Sequence, residues 1–147
     1  MSARLVGPFL GGVALRRLLL GGVALGAALG GCTGTGSYTL SWTIGGEAQP
    51  DAYACASRGI DGIQVQAMAA LSGEPADLMV FPCAPHTATR SLTAGGYDLY
   101  VSPVDARGAR LADPATGEAL PPQIVPIVVP EDGNVEAHVT ITVGEGG

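Results

Sequence analysis

The chain has 147 residues, three cysteines and no lysine, and its formal net charge is −6. All thirteen acidic residues follow position 31 while three of the seven arginines precede it, so residues 32–147 carry a net charge of −9. This acidic balance argues against nucleic acid as a partner and against direct adsorption to anionic lipid. The 116 residues after position 31 fit one domain with a modest core.

The N-terminal segment has the layout of a secretory signal peptide. Arg4, Arg16 and Arg17 supply positive charge, and residues 18–29 form an uncharged apolar run that small residues follow. This run is too short to span a bilayer comfortably. We therefore expect residues 1–31 to be a signal peptide that is cleaved. The adjacent arginines leave the twin-arginine export route open beside the general secretory route.

The end of this segment predicts a lipid anchor. The tetrapeptide Leu-Gly-Gly-Cys that ends at Cys32 resembles the bacterial lipobox, which implies that Cys32 is acylated and becomes the mature N-terminus. Two or three acyl chains on one residue give a stable anchor, whereas one chain does not. We therefore expect residues 32–37 to form a lipidated tether, and Thr33 favours the outer membrane by the enterobacterial sorting rule. An ordinary signal peptide and an uncleaved anchor are the alternatives.

The remaining cysteines, Cys55 and Cys83, form an even pair in an oxidising compartment. The simplest interpretation is one disulfide. It would close a loop of roughly thirty residues and contribute about 3 to 4 kcal/mol to stability. The alternative is a metal or redox site, because His86 lies three residues after Cys83. The sequence offers no second Cys/His cluster, so we expect no metal and no cofactor.

Alternation of apolar and polar residues predicts strands throughout the rest of the chain. In chain order they cover residues 38–44, 60–68, 77–83, 87–92, 97–101, 123–129 and 135–143. A glycine-ended turn at 104–108 predicts a hairpin into residues 109–111. Pro126 cannot donate to a ladder, which indicates an edge strand over residues 123–129.

These signals predict an all-β fold. No segment outside the signal shows a helical period, and seven or eight short strands at this spacing are typical of a small antiparallel β-sandwich. We place this domain at residues 38–143, with a flexible tail at 144–147.

The segment from Ser91 to Leu99 resembles the strand signature of transthyretin-like domains, including the regulatory domains of carboxypeptidases. This resemblance implies a prealbumin-like sandwich. The wider layout is similar to a group of lipoproteins from high-GC Gram-negative bacteria such as the myxobacteria. The residues that carry this second likeness are Trp42, Cys55, Gly59-Ile60-Asp61, Cys83 and Gly96-Tyr97. In the last pair, glycine permits a positive-φ entry to the strand and the tyrosine hydroxyl can bond a neighbouring loop.

The sequence contains no recognisable catalytic motif. The two histidines, His86 and His138, lie outside nucleophile and metalloprotease patterns, and a solvated pair with Glu136 is the expected state of His138. We predict a noncatalytic envelope module, not an enzyme, that binds another envelope protein, a peptide or a glycan. A metal-dependent binder or hydrolytic enzyme that uses clustered acids and His86 is the alternative.

Two weaker hypotheses concern other parts of the chain. The acidic turns could hold calcium, since hard cations prefer oxygen ligands. They contain Asp51, Asp61, Asp113 and residues 131–134. The predicted edge strand at residues 123–129 could instead pair with another chain.

Overall fold

A computed structural model describes residues 34–45 and 52–143. These residues form seven strands and one short helix, which confirms the predicted all-β class. The elements are β1 (Thr35–Ile44), α1 (Ala52–Ser57), β2 (Gly62–Ala69), β3 (Pro75–Pro82), β4 (Thr87–Thr93), β5 (Gly95–Val104), β6 (Gln123–Val129) and β7 (Asn134–Ile141). The predicted signal at 1–31, the acylated Cys32 and the tail at 144–147 lie outside the described residues. Within residues 34–45 and 52–143, no helix has the length and apolar character needed to cross a membrane.

The strands form two sheets that enclose one core. A three-stranded sheet has the order β4-β1-β7, and a four-stranded sheet has the order β3-β2-β5-β6. The described strand pairs are antiparallel except β1 with β7, which is parallel. The sequence predicted an antiparallel sandwich. That detail is wrong, because one strand pair is parallel. Among the described strands, the chain crosses between the sheets four times, after β1, β3, β4 and β6.

The predicted inward rows are confirmed in both sheets. Successive strand residues point to opposite faces, so one face of each strand enters the core. On β1 every second residue from Tyr38 to Ile44 is buried. The other sheet supplies the opposing layer from β2 and β5. The most deeply buried side chains are Trp42, Tyr38, Leu40, Ile63, Leu99, Ile141, Val65, Val101, Val104, Val129 and Cys83.

The start of the domain differs from the prediction. Strand β1 begins at Thr35, so residues 35–37 belong to the sandwich and not to the tether. The Ser37 amide donates to the carbonyl of Gly133 at 2.8 Å. A Cβ at Gly36 would collide with the carbonyl oxygen of Pro130. The glycine that made this segment resemble a linker is therefore required by close packing.

Helix α1 was not predicted. It has only six residues, too few to show a 3.6-residue period, and it precedes Gly59, whose φ of 67° suits the left-handed end of a helix. The amide of Ile60 donates to the carbonyl of Cys55 at 2.9 Å and closes this end. The helix thereby presents Cys55 to the core, where it is 4% exposed.

Three local predictions are confirmed. Strand β6 lies at an edge of the four-stranded sheet, with Pro126 opposite Asp98. The turn that ends at Gly108 has the expected positive φ, although residues 109–111 make only a single bridge to β5. The hydroxyl of Tyr97 donates to the carbonyl of Thr93 at 2.8 Å, as expected. The positive φ at the strand entry was expected at Gly96 and instead falls on Gly95, so that detail of the prediction is wrong.

One ion pair joins an edge of each sheet. Arg90 on β4 donates two hydrogen bonds to Asp77 on β3, at 2.7 and 3.1 Å. The Arg90 guanidinium lowers the pKa of the Asp77 carboxyl. Burial raises the pKa of the neighbouring Tyr38 to about 12, and the Asp77 charge adds to this rise.

This ion pair predicts an acid-sensitive contribution to stability. Because the pKa of Asp77 is lower in the folded chain, the contribution is present above the unfolded value of about 4 and is lost as the pH falls through the folded value. Asp77→Asn should therefore flatten the fall in the free energy of unfolding below about pH 4, measured by urea denaturation at a series of pH values. Arg90→Gln should flatten it equally, and the double variant should flatten it no further. If both single variants lose stability below about pH 4 as steeply as the wild type does, the ion pair does not make this contribution.

Candidate functional site

Two regions of the described chain combine several chemically active side chains. The first is the disulfide end of the sandwich, where the sequence placed its candidate residues. The second is the solvent-facing surface of the four-stranded sheet, which the sequence analysis did not single out.

The predicted disulfide between Cys55 and Cys83 is present. The two Cα atoms are 6.0 Å apart and the cysteines are 28 positions apart in the chain, so the bond ties α1 to the residue that follows β3. Both cysteines are buried. The separation is typical of a disulfide.

Trp42 holds the disulfide segment against β1. Its indole nitrogen donates to the carbonyl of Cys83 at 3.1 Å, and its backbone amide donates to the carbonyl of His86 at 3.0 Å. The indole is 1% exposed, so no solvent molecule can replace that donor without rearrangement. The tryptophan thus fills the core and also satisfies a buried carbonyl.

His86 lies against the disulfide, although it is only half-buried. Its Nδ1 is 3.0 Å from the carbonyl oxygen of Trp42, and its Nε2 is 3.4 Å from the Sγ atom of Cys55. The residue has a φ of 55°, which is uncommon outside glycine. The sequence had indicated proximity to Cys83; contact with Cys55 arises only in the fold.

The other candidates lie elsewhere. His138 is exposed on β7 and contacts the hydroxyl groups of Ser41, at 3.0 Å, and Thr43, at 3.5 Å. Across residues 34–45 and 52–143, the group of potential metal ligands is Cys55, Cys83 and His86, and no carboxylate belongs to it. The described acidic turns therefore do not converge with His86, and Asp51 lies outside the described residues.

The second region is the outer sheet face, which we define as Gln64, Gln66, Tyr100, Ser102, Arg110 and Pro122. These residues line a hollow of about 300 Å³. Strands β2 and β5 pair so that Gln66 lies opposite Tyr100 and Gln64 opposite Ser102. Core residues alternate with these four, so the polar side chains form one strip on the outer face of the sheet, in which Ser102 is covered and only 3% exposed.

Apolar side chains flank this polar strip on both edges of the sheet. Leu78 and Val80 lie on β3, opposite Gln66 and Gln64, and both are about half exposed. Ile124 on β6 lies opposite Tyr100 and is 56% exposed. The surface thus combines a polar centre with exposed apolar margins, a composition found in ligand sites.

Arg110 supplies the positive charge at this hollow. The segment after β5 folds back, and a bridge between Val104 and Arg110 fixes its position beside Ser102. Arg90 and Arg107 are engaged by carboxylates. Within the part of the chain that the structure describes, Arg110 makes no ion pair. Its donors are thus available to a ligand.

Comparison of the chain with family models, curated proteins and solved structures gives no match. The likeness to transthyretin-like domains and to bacterial lipoproteins stays a prediction. The geometry of the disulfide end and of the outer sheet face is therefore the basis for assigning a function.

The disulfide predicts a large loss of stability on its removal. Replacing both cysteines by alanine should lower the free energy of unfolding by about 3 to 4 kcal/mol, because the unfolded chain regains the entropy of a loop of this length. Urea denaturation of the wild-type and double-variant chains measures the difference. A loss below about 1 kcal/mol would contradict a stabilising role for the bond.

The indole hydrogen bond gives a separate prediction. Trp42→Phe should cost at least about 1 to 3 kcal/mol, because the buried carbonyl of Cys83 loses its donor. Tyr97→Phe is the matched control, since it also removes one hydrogen bond to a backbone carbonyl, in a position that is 8% exposed. Thermal and urea unfolding of the two variants should show the larger loss for Trp42→Phe. An equal or smaller loss would show that the indole nitrogen contributes little.

Proposed function

We propose that this chain is a lipid-anchored, noncatalytic binding module of the bacterial cell envelope whose outer sheet face binds a neutral glycan. The observation that carries the binding assignment is the polar strip of Gln64, Gln66, Tyr100 and Ser102 beside Arg110. The anchor is supported by the lipobox-like sequence at Cys32 and by the signal-like segment before it.

The side chains of the outer sheet face suit a ligand rich in hydroxyl groups. Each glutamine amide offers donors and an acceptor, as a sugar hydroxyl does, and the Arg110 guanidinium adds further donors. The ring of Tyr100 offers an apolar surface on which a sugar ring can pack. A hollow of about 300 Å³ lies at the lower end of the range for small-ligand sites.

The charge of the domain favours a neutral ligand over an acidic polymer. Residues 32–147 carry a net charge of −9, which repels polyanions at long range, and Arg110 offsets only part of it at the hollow. A neutral oligosaccharide meets no such repulsion. A short tether would hold this face near the membrane surface, because β1 begins only three residues after Cys32.

A noncatalytic role is supported by the surroundings of the described histidines. His86 lies between a disulfide and a backbone carbonyl, and His138 contacts two hydroxyl groups on the other sheet. Among residues 34–45 and 52–143, the ligand cluster that contains His86 holds two cysteines and no carboxylate, and His138 belongs to no such cluster. The alternative of a hydrolytic enzyme built on His86 and clustered acids therefore has less support than the binding module.

This proposal predicts where oligosaccharides bind. We expect neutral oligosaccharides of glucose or N-acetylglucosamine to shift backbone amide resonances of β2 and β5 in an NMR titration of the mature domain. Tyr100→Ala should lower the affinity for the oligosaccharide by about 10-fold, because the contact between the tyrosine ring and the sugar ring is lost. Thr89→Ala, on an exposed position of β4 in the other sheet, should leave the affinity unchanged.

Three outcomes would contradict the glycan assignment. Resonance shifts confined to the other sheet would place the binding site there. Unchanged affinity of Tyr100→Ala would show that the outer sheet face does not contact the oligosaccharide. Absence of shifts with every neutral oligosaccharide, together with shifts from an acidic one, would reverse the charge argument.

A further inference from the structure

The three side chains at the disulfide end form a set of ligands of the kind that zinc prefers. The Sγ atoms of Cys55 and Cys83 and a ring nitrogen of His86 all lie within 4.8 Å of one another. They come from two segments: Cys55 lies in α1, and Cys83 and His86 lie in the loop between β3 and β4. The glycan hypothesis uses none of them.

One hydrogen bond shows which nitrogen of the His86 ring carries a hydrogen. The carbonyl oxygen of Trp42 can only accept, so the ring nitrogen 3.0 Å from it, Nδ1, carries the hydrogen and donates. In a neutral imidazole the other nitrogen, Nε2, then carries the lone pair. Nε2 is the atom that lies 3.4 Å from the Sγ atom of Cys55. A hydrogen bond from the far nitrogen to a carbonyl is also how metal-binding histidines are oriented.

The backbone keeps this ring in place independently of the disulfide. The amide of His86 donates to the carbonyl of Cys83 at 3.1 Å, and the carbonyl of His86 accepts from Trp42 at 3.0 Å. The amide of Cys83 in turn donates to the carbonyl of Asp61 at 3.1 Å. Two of the three ligands are thus held by main-chain hydrogen bonds that reduction does not break.

We propose that reduction converts this disulfide into a zinc site formed by Cys55, Cys83 and His86. A dithiol reductant supplies two electrons and two protons, so the S–S bond becomes two thiols while the reductant becomes a disulfide. A Zn²⁺ ion then binds both sulfur atoms, and the two thiol protons are released to water. Nε2 of His86 donates its lone pair as the third ligand, and water takes the fourth position on the half-buried side.

The geometry requires only a small change. With Zn–S bonds of about 2.3 Å and Zn–N bonds of about 2.0 Å, tetrahedral ligands lie roughly 3.8 Å apart for two sulfurs and roughly 3.5 Å apart for sulfur and nitrogen. The sulfur to nitrogen distance of 3.4 Å for Cys55 already matches. The two sulfurs must separate, and the Cys83 Sγ atom, which lies within 4.8 Å of a ring nitrogen of His86, must come to a similar distance from Nε2. Two thiolates and one Zn²⁺ are together neutral, which suits positions that are 4% and 1% exposed.

The test is metal binding by the full mature chain in its reduced and oxidised states. The chain is reduced with a non-chelating phosphine under anaerobic conditions and titrated with Co²⁺, then with Zn²⁺ in competition. We expect one equivalent of Co²⁺ to bind the reduced chain, with the near-ultraviolet charge-transfer band of thiolate ligation and the visible bands of a tetrahedral ion. Zn²⁺ should remove these bands, and the oxidised chain should show none.

A pair of histidine variants identifies the third ligand. His86→Gln should weaken Zn²⁺ binding to the reduced chain by at least about 10-fold, and His138→Gln should match the wild type. Circular dichroism of each oxidised variant confirms that it is folded before reduction. Equal Zn²⁺ affinity of the oxidised and reduced chains, equal affinity of the two variants, or a reduced chain that stays unfolded in the presence of Zn²⁺ would each overturn the proposal.

Discussion

The contact between Trp42 and the disulfide segment is the constraint on which this fold most depends. Trp42 lies on the central strand of the three-stranded sheet, while Cys83 follows an edge strand of the other sheet. The indole hydrogen bond therefore links the two layers at the point where the disulfide also fixes α1. At the neighbouring edge, the pair of Asp77 and Arg90 makes a second link between the layers.

This closed end leaves the opposite side of the four-stranded sheet available for binding. The core is fixed by inward residues of β2 and β5, so their outward residues are not needed for stability. Amide and guanidinium groups can occupy the partly exposed positions at little cost, because they remain hydrated in the absence of a ligand. The division of labour between a locked interior and a polar outer face is typical of β-sandwich binding domains, in which a rigid scaffold carries the site.

Residue alternation made the strands and the buried rows predictable, but not which strands lie side by side. Gln64 and Tyr100 each alternate with core residues and therefore resemble ordinary solvent-facing positions. Their common hollow exists only because β2 pairs with β5 and Arg110 folds back over them. The same limitation explains the unexpected parallel pairing of β1 with β7. The disulfide was predictable from cysteine number and compartment, whereas the position of His86 against Cys55 depends on α1, which is too short to leave a periodic signal.

The central claim is that this sandwich is an oxidised domain tethered to the envelope by lipid, and intact-mass spectrometry of the protein from its native membrane tests it most directly. The account predicts a chain that starts at Cys32 and is heavier by two or three acyl chains. Alkylation should label no thiol before reduction and two thiols, Cys55 and Cys83, after it. An unacylated chain whose thiols are alkylated without reduction would contradict both the anchor and the disulfide-closed fold.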